Sequence, residues 1–319
     1  MNTSSILKTY GSLVIFSSIL AVSSCGGSGG GSGGAGTGTL SLQITDAAVD
    51  TAEHVYVQFS GLEIQSADGK RTTLYYCEDP MDATNTVLSD TACPMSSAPK
   101  KLDLLMLSGG QADFLLNGYT LPAGHYSWIR LMVDTADPLD SYIVVSGTPY
   151  ELTIPSGMQT GLKLNRGFDV PAGGSADFTI DFDLRKSVNL SNIGYMLRPT
   201  LRMVDNVMAG WISGTVDQSL VTTGCTPAVY VFAGSGVTPD DIDGIAADPV
   251  TTATVKQDNN GVYRYMAAFL EAGSYTIAFT CDAVADDPLI DNTLNAPPVN
   301  FSGTTSVSVT VKTNTVHNF

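Results

Sequence analysis

Histidine is scarce, and the three present (His54, His125 and His317) stand far apart in the chain. A histidine-activated nucleophile or a conventional His/Cys metal set therefore has little to draw on. The five cysteines include no C-x-x-C pair, which argues against zinc-ribbon and thioredoxin-type sites. Basic residues are few, 15 against 31 acidic ones, for a net charge of −16. That balance excludes nucleic acid as a partner, and equally a bare anionic membrane surface. Charged residues amount to only 14%, so what remains is glycine, serine, threonine and valine of the kind that builds exported β proteins. No apolar run is long enough to span a bilayer.

What the N-terminus does have is an export signal. Lys8 precedes the apolar run Leu13-Val14-Ile15-Phe16 and Ile19-Leu20-Ala21-Val22, and small residues lead into Cys25. This order predicts a secretory leader over residues 1–24. Val22-Ser23-Ser24-Cys25 resembles the bacterial lipobox, which implies acylation of the Cys25 sulfur and a new N-terminus at its amine. Two or three acyl chains, at about 0.8 kcal/mol per buried CH₂, hold a protein on a membrane where one chain does not. The Gly/Ser stretch that follows reads as a flexible tether over 25–38. Gly26, where Asp is the usual inner-membrane retention signal, implies by resemblance to Gram-negative lipoproteins an outer-membrane address, periplasmic or surface-exposed.

With Cys25 assigned to lipid, Cys77, Cys93, Cys225 and Cys281 allow three pairings. Each half of the chain holds two of them, which favours Cys77 with Cys93 and Cys225 with Cys281 in an oxidising compartment. Beyond the tether, alternation with a period of two dominates. Leu40, Leu42 and Ile44 share a face, as do Val55, Val57 and Phe59. Ala176, Phe178, Ile180, Phe182 and Leu184 alternate with Ser175, Asp177, Thr179, Asp181 and Asp183, and the polar set is expected to face water. Short helices are expected only over 101–107 and 240–246. A recurring phrase, Leu121-Pro122-Ala123-Gly124-His125-Tyr126 and Leu270-Glu271-Ala272-Gly273-Ser274-Tyr275, marks strand-opening turns, echoed at Val170-Pro171-Ala172-Gly173. The glycine supplies a backbone angle that a side chain forbids, and the tyrosine anchors the incoming strand. About 150 residues separate the first two copies, which predicts two domains divided between Asn206 and Gly210.

The order of several segments is more telling than any one of them. Gly38-Thr39-Leu40-Ser41-Leu42-Gln43-Ile44-Thr45-Asp46-Ala47, Glu53-His54-Val55-Tyr56-Val57 and Gly61-Leu62-Glu63-Ile64 are followed by Lys101-Leu102-Asp103-Leu104-Leu105. Then come Leu121 to Val133, Gly161-Leu162-Lys163-Leu164, Phe168-Asp169-Val170 and Tyr195-Met196-Leu197-Arg198-Pro199. Together, over 39–206, they resemble DUF 4382, a family of exported and often lipid-anchored prokaryotic surface proteins. The resemblance implies a transthyretin-like sandwich and brings no catalytic residues. Residues 210–319, opening on Trp211-Ile212-Ser213-Gly214-Thr215-Val216, resemble a carboxypeptidase-regulatory-like sandwich. The expected fold is all-β: two antiparallel β-sandwich domains, transthyretin/prealbumin-like or Ig-like.

Motifs of chemistry are thin. Gly26-Gly27-Ser28-Gly29-Gly30 satisfies G-x-S-x-G but lies in the tether, without the strand and helix that a nucleophile elbow needs. His125 with Asp134 is the one pairing a hydrolase could use, and no serine is singled out beside it. Three acidic loops could take calcium: Asp240, Asp241 and Asp243, the leading candidates, then Asp282, Asp286, Asp287 and Asp291, and Asp134, Asp137 and Asp140. In the first, Pro239 and Val250 stand where an EF-hand loop needs its first and last ligands. Two readings follow. The first is a non-enzymatic binding or adhesion module for glycan, peptide or another envelope protein, with no cofactor and a membrane contact through lipid. A cluster of Tyr75, Tyr76, Trp128 or Tyr142 on one exposed face would favour it. The second is an envelope enzyme or calcium-dependent accessory protein that uses the acidic loops.

Overall fold

The computed structural model of the chain describes residues 36–319 apart from 48–51, 80, 94–95, 135, 156–159, 246 and 292–297. The leader, Cys25 and nearly all of the tether lie outside the described residues. Thr37 and Gly38, expected as tether, already belong to the first strand.

Alternation decides the architecture. Leu40, Leu42 and Ile44 on strand Thr37–Ala47 are fully buried, and so is Ile180 on strand Ser175–Asp183. These two strands run parallel, with Leu42 opposite Phe178 and Ile44 opposite Ile180. Strands Leu201–Asp205 and Asp113–Pro122 complete a four-stranded sheet, sheet I. An eleven-stranded sheet, sheet II, is built around strand His54–Ser66, whose Val55, Val57, Phe59, Leu62 and Ile64 are buried. The inward side chains of sheets I and II form one continuous core.

The rest of the chain builds a second pair. Sheet III has the strand order Lys256–Gln257, Tyr263–Glu271, Ala209–Val216, Asn314–Val316. Sheet IV has the order Thr251–Thr254, Ala228–Ala233, Gly273–Thr280, Phe301–Val309. Ile212, Val229, Val231 and Ile277 fill the space between them. Tyr230 and Phe232 point the other way, into a satellite core with Ile242 and Ala283. Strand Ala228–Ala233 is therefore covered on both faces, which is why it reads as an unbroken apolar run. Among the described residues no sheet crosses from residues before Asn206 to residues after it, yet the chain from Ala35 onward packs as one compact unit.

The sheets are mainly antiparallel, as expected, and among the described residues three strand pairs are parallel: Thr37–Ala47 with Ser175–Asp183, Thr148–Thr153 with Gly194–Leu197, and Ala209–Val216 with Asn314–Val316. Each joins segments far apart in sequence, as parallel pairing requires. Residues 101–107 are not one helix: strand Lys100–Asp103 gives way to a single 3-10 turn, Leu104–Leu107. Residues 240–245 form no helix either, because aspartates capture the backbone donors. Asp243 N and Gly244 N donate to Asp248 Oδ1, and Ile245 N donates to Asp243 Oδ1.

The recurring turns deliver one shared contact. Tyr126 Oη donates to Pro122 O and Tyr275 Oη donates to Glu271 O, each at 2.7 Å and each four residues back. Gly173 sits at φ +68°, a conformation that needs glycine, whereas Gly273 has no such angle.

Cys77 is bonded to Cys93 and Cys225 to Cys281. The first bond closes a separation of 16 residues and the second 56. In the chain-entropy account these stabilise by about 3 and about 4 kcal/mol respectively. Urea unfolding of Cys77→Ala/Cys93→Ala and Cys225→Ala/Cys281→Ala proteins should show that order. A larger loss from the first pair would contradict it.

Candidate functional site

Ser175 is exposed and Asp177 half-buried on strand Ser175–Asp183, but the three polar positions that follow do not face water as expected. Thr179, Asp181 and Asp183 are at most 4% exposed, and Thr45 on the neighbouring strand is 3% exposed. Strands Thr251–Thr254 and Tyr263–Glu271 of the second sandwich pack across sheet I and cover them. Alternation shows which side avoids the core. It does not show what meets the other side.

Charge pairing makes this polar junction tolerable. Arg202 donates from Nη2 to Asp181 Oδ2 at 2.5 Å and from Nη1 to Phe269 O at 2.7 Å, bridging the two sandwiches. A four-residue helical turn, Leu184–Ser187, is capped by the Asp183 side chain, which accepts from Lys186 N. Arg185 projects from that turn into the second sandwich and is 3% exposed. Its guanidinium lies over the Tyr230 ring, 5.7 Å from the centroid, and donates to Thr252 Oγ1 and to Ala283 O. Tyr230 Oη in turn donates to Asp286 Oδ2. Burial pushes the Asp183 carboxyl up to about 6 against the pull of Lys186 and Arg185. Burial likewise raises Asp286 to about 6. Asp46 is driven well above the usual carboxylate range by burial and by its neighbours Asp181 and Asp183.

Two grooves flank the junction, separated by Met266. One, of about 510 Å³, carries Lys256 and Arg264, which are already engaged by Ser108 and Asp258. The other, of about 520 Å³, is walled by Trp211, Met266 and Phe269 and rimmed by Gln43, Asp177 and Lys312. Trp211 faces it because Ile212 next door points into the core of the second sandwich. A register shift between Gly210 and Ile212 leaves Phe269 at φ +53°. Lys312, on the rim, has φ +52°. Among the described residues only one other non-glycine, Ser146, has a positive φ. Left-handed conformations of this kind cost on the order of 1–3 kcal/mol and cluster where a site needs them. Phe269 is held there by Arg202, and Lys312 by its N–H donating to Ala209 O at 2.7 Å.

The residues singled out from sequence are placed elsewhere. His125 pairs with Asp169 at 3.0 Å on the surface, while Asp134 accepts from Gln58 Nε2; the two do not form a site. His54 pairs with Asp103. The four aromatics share no open face. Tyr76 is buried, with its hydroxyl donating to Leu115 O, Trp128 lies under Arg71 and Lys163, and Tyr142 is stacked on Tyr56 and covered by Lys101. Tyr75 alone is exposed. Of the calcium candidates, Asp241 and Asp243 come together with Asp291, each offering an oxygen within 4.8 Å of the others, and Asp240 is not in the group. Calcium takes about six to eight oxygens, so three carboxylates are a partial set. Trp211 was legible only as the start of a strand. Arg185, Phe269 and Lys312 carried no signal.

Among solved structures, the chain is similar to the TIE protein of Bacillus anthracis at 11% identity, covering 89% of this chain and 34% of that one, with a TM-score of 0.20. The chain thus spans about a third of that protein's length. It is also similar to GBS52, the minor pilin of Streptococcus agalactiae, at 9% identity, 88% and 94% coverage and a TM-score of 0.19. A third is the fimbrial anchor protein Mfa2 of Porphyromonas gingivalis, at 11% identity, 81% and 85% coverage and a TM-score of 0.17. Scores this low transfer neither fold nor role. No curated protein matches the sequence. A family model does: residues 37–199, just over half of the chain, match DUF4382, a domain of unknown function, and the chain belongs to that family.

Proposed function

We propose that the chain is a non-enzymatic binding module of adhesion type in the cell envelope, with two sandwich domains (39–206 and 210–319) held at the outer membrane by lipid on Cys25. Two disulfides support an extracytoplasmic location. The binding reading is carried by the open groove at the junction of the two sandwiches, since ligand sites favour such junctions. Its lining has no histidine, cysteine or serine, and the buried carboxylates Asp46, Asp183 and Asp286, whose pKa burial raises, are not part of it. The arrangement suits holding a ligand rather than transforming it.

Expression in a non-adherent bacterial host tests the reading. Cells producing the chain should attach to polysaccharide- or protein-coated surfaces several-fold better than cells with an empty vector. Cys25→Ser cells should lose both that gain and incorporation of an alkyne palmitate analogue. Unchanged attachment by the wild-type chain would sink the adhesion reading, and equal labelling of the Cys25→Ser protein would sink the anchor.

The calcium-dependent alternative has the Asp241–Asp243–Asp291 group in its favour. It expects the melting temperature to rise on adding Ca²⁺ and to fall in EGTA, with Asp243→Asn abolishing the difference. Superimposable melts would remove it.

A further inference from the structure

Building on the binding reading, we propose that the groove walled by Trp211, Met266 and Phe269 is a carbohydrate site that takes a short neutral glycan. Pyranose rings have an apolar C–H face and a polar hydroxyl rim, and this groove has both counterparts. Among the described residues no ring or cation is stacked on Trp211, in contrast to Trp128, whose indole is covered by two cations. The half-buried indole of Trp211 lines the groove, with Met266 and Phe269 continuing the apolar wall. The rim carries an amide, a carboxylate and an ammonium: Gln43, Asp177 and Lys312. The side chains of Gln43 and Lys312 make no hydrogen bond or ion pair with other described residues. Asp177 is oriented through one oxygen, Oδ1, which accepts from Asn206 Nδ2 at 2.9 Å; the same amide accepts from Thr179 Oγ1 at 2.8 Å. The second carboxylate oxygen of Asp177 remains for a ligand hydroxyl.

Other ligand classes fit less well. An extended peptide would seek an open backbone ladder, but strand Ala209–Val216 is paired on both sides, with Tyr263–Glu271 and with Asn314–Val316. A phosphate-rich ligand would need several cations, and here Lys312 stands alone opposite Asp177 in a protein of net charge −16. A lipid tail would leave the three polar rim groups desolvated and unpaired. The volume, about 520 Å³, lies in the usual range for small-ligand sites. The two left-handed residues, Phe269 in the wall and Lys312 on the rim, are ones such a ligand would touch, so the strained backbone and the proposed contacts coincide.

The chain has two tryptophans, so Trp128→Phe leaves Trp211 as the sole reporter in the full-length protein. Titration with cello-, manno-, xylo- and chito-oligosaccharides should give a saturable change in its emission with at least one of them. Calorimetry should then show affinity at least tenfold weaker in Trp211→Ala and several-fold weaker in Lys312→Ala, at unchanged far-UV circular dichroism. Should Trp211→Ala fail to fold, Gln43→Ala and Lys312→Ala carry the same test. Absence of any saturable change across the panel overturns the proposal, as does undiminished affinity in the rim and wall variants. In the attachment assay, normal adherence of Trp211→Ala cells would overturn the carbohydrate site and leave the adhesion reading standing. Failure of the wild-type chain to confer attachment would instead count against adhesion itself.

Discussion

Replacing Arg185 by Ala is expected to cost about 3–5 kcal/mol at neutral pH, the range for removing one partner of a buried charge network. The loss has several sources. Hydrogen bonds to Thr252 Oγ1 and Ala283 O disappear, as does the cation over the Tyr230 ring. More costly is what stays behind: Arg185 moderates the charge of Asp46, Asp183 and Asp286, which sit on both sides of the junction. Without it each of these three buried carboxylates loses a compensating charge. Because Arg185 is rooted in the first sandwich and bonded within the second, the variant should also uncouple the two cores. Calorimetry should then resolve two transitions where the wild type has one. Arg185→Met, which keeps most of the packing over Tyr230, should recover only a minor part. A loss below about 1 kcal/mol, typical of an exposed pair, would show that the contact does not hold the sandwiches together.

Stability should fall as pH rises from about 4 towards 7, the reverse of the usual carboxylate behaviour. Asp183 and Asp286 titrate near 6 in the folded chain, against 3.8 for an ordinary aspartate. Between those values the native state keeps protons that the unfolded chain has released. The stabilisation is complete below the unfolded value and is lost as pH climbs through the folded one. A shift of that size is worth about 3 kcal/mol per group at its limit. Asp46, raised in the same direction, adds to the trend. The exposed carboxylates of Asp68, Asp217 and Asp258, lowered by side-chain hydrogen bonds, act oppositely and only below about their ordinary range. Urea unfolding at pH 4.5 and 7.5 checks the claim. The wild type should be more stable at 4.5, and Asp183→Asn with Asp286→Asn should flatten the profile. Asn keeps the capping geometry at position 183, so the charge effect is isolated there, whereas at 286 it also replaces one of two accepting oxygens. Stability that rises across this interval would refute the assignment.

Much of the core was legible because burial follows period: Leu40, Leu42, Ile44, Val55, Val57 and Phe59 are all fully buried, as their spacing implies. Direction was not legible, since a period of two is the same in parallel and antiparallel pairs. The junction was invisible for a related reason. Leu184-Arg185-Lys186-Ser187 reads as an ordinary charged turn, and only docking of the second sandwich converts Arg185 into a buried contact. Asp241 and Asp243 could be picked out as neighbours in sequence, but Asp291 joins them from a distant loop. Phe269 gave no sign of a left-handed backbone, because its angle is imposed by the register of the adjoining strand rather than by its own preference.

Strand Thr37–Ala47 also has a mechanical meaning. It lies inside sheet I, paired in parallel with Ser175–Asp183 along one side and antiparallel with Asp113–Pro122 along the other. A pull on the chain ahead of Thr37, directed along the strand, slides it against both neighbours at once. The load is then shared by two rows of hydrogen bonds in shear instead of opening them one after another like a zip. Under the lipid anchoring proposed above, which would load the leading end, extraction of the first strand would require many bonds to fail together.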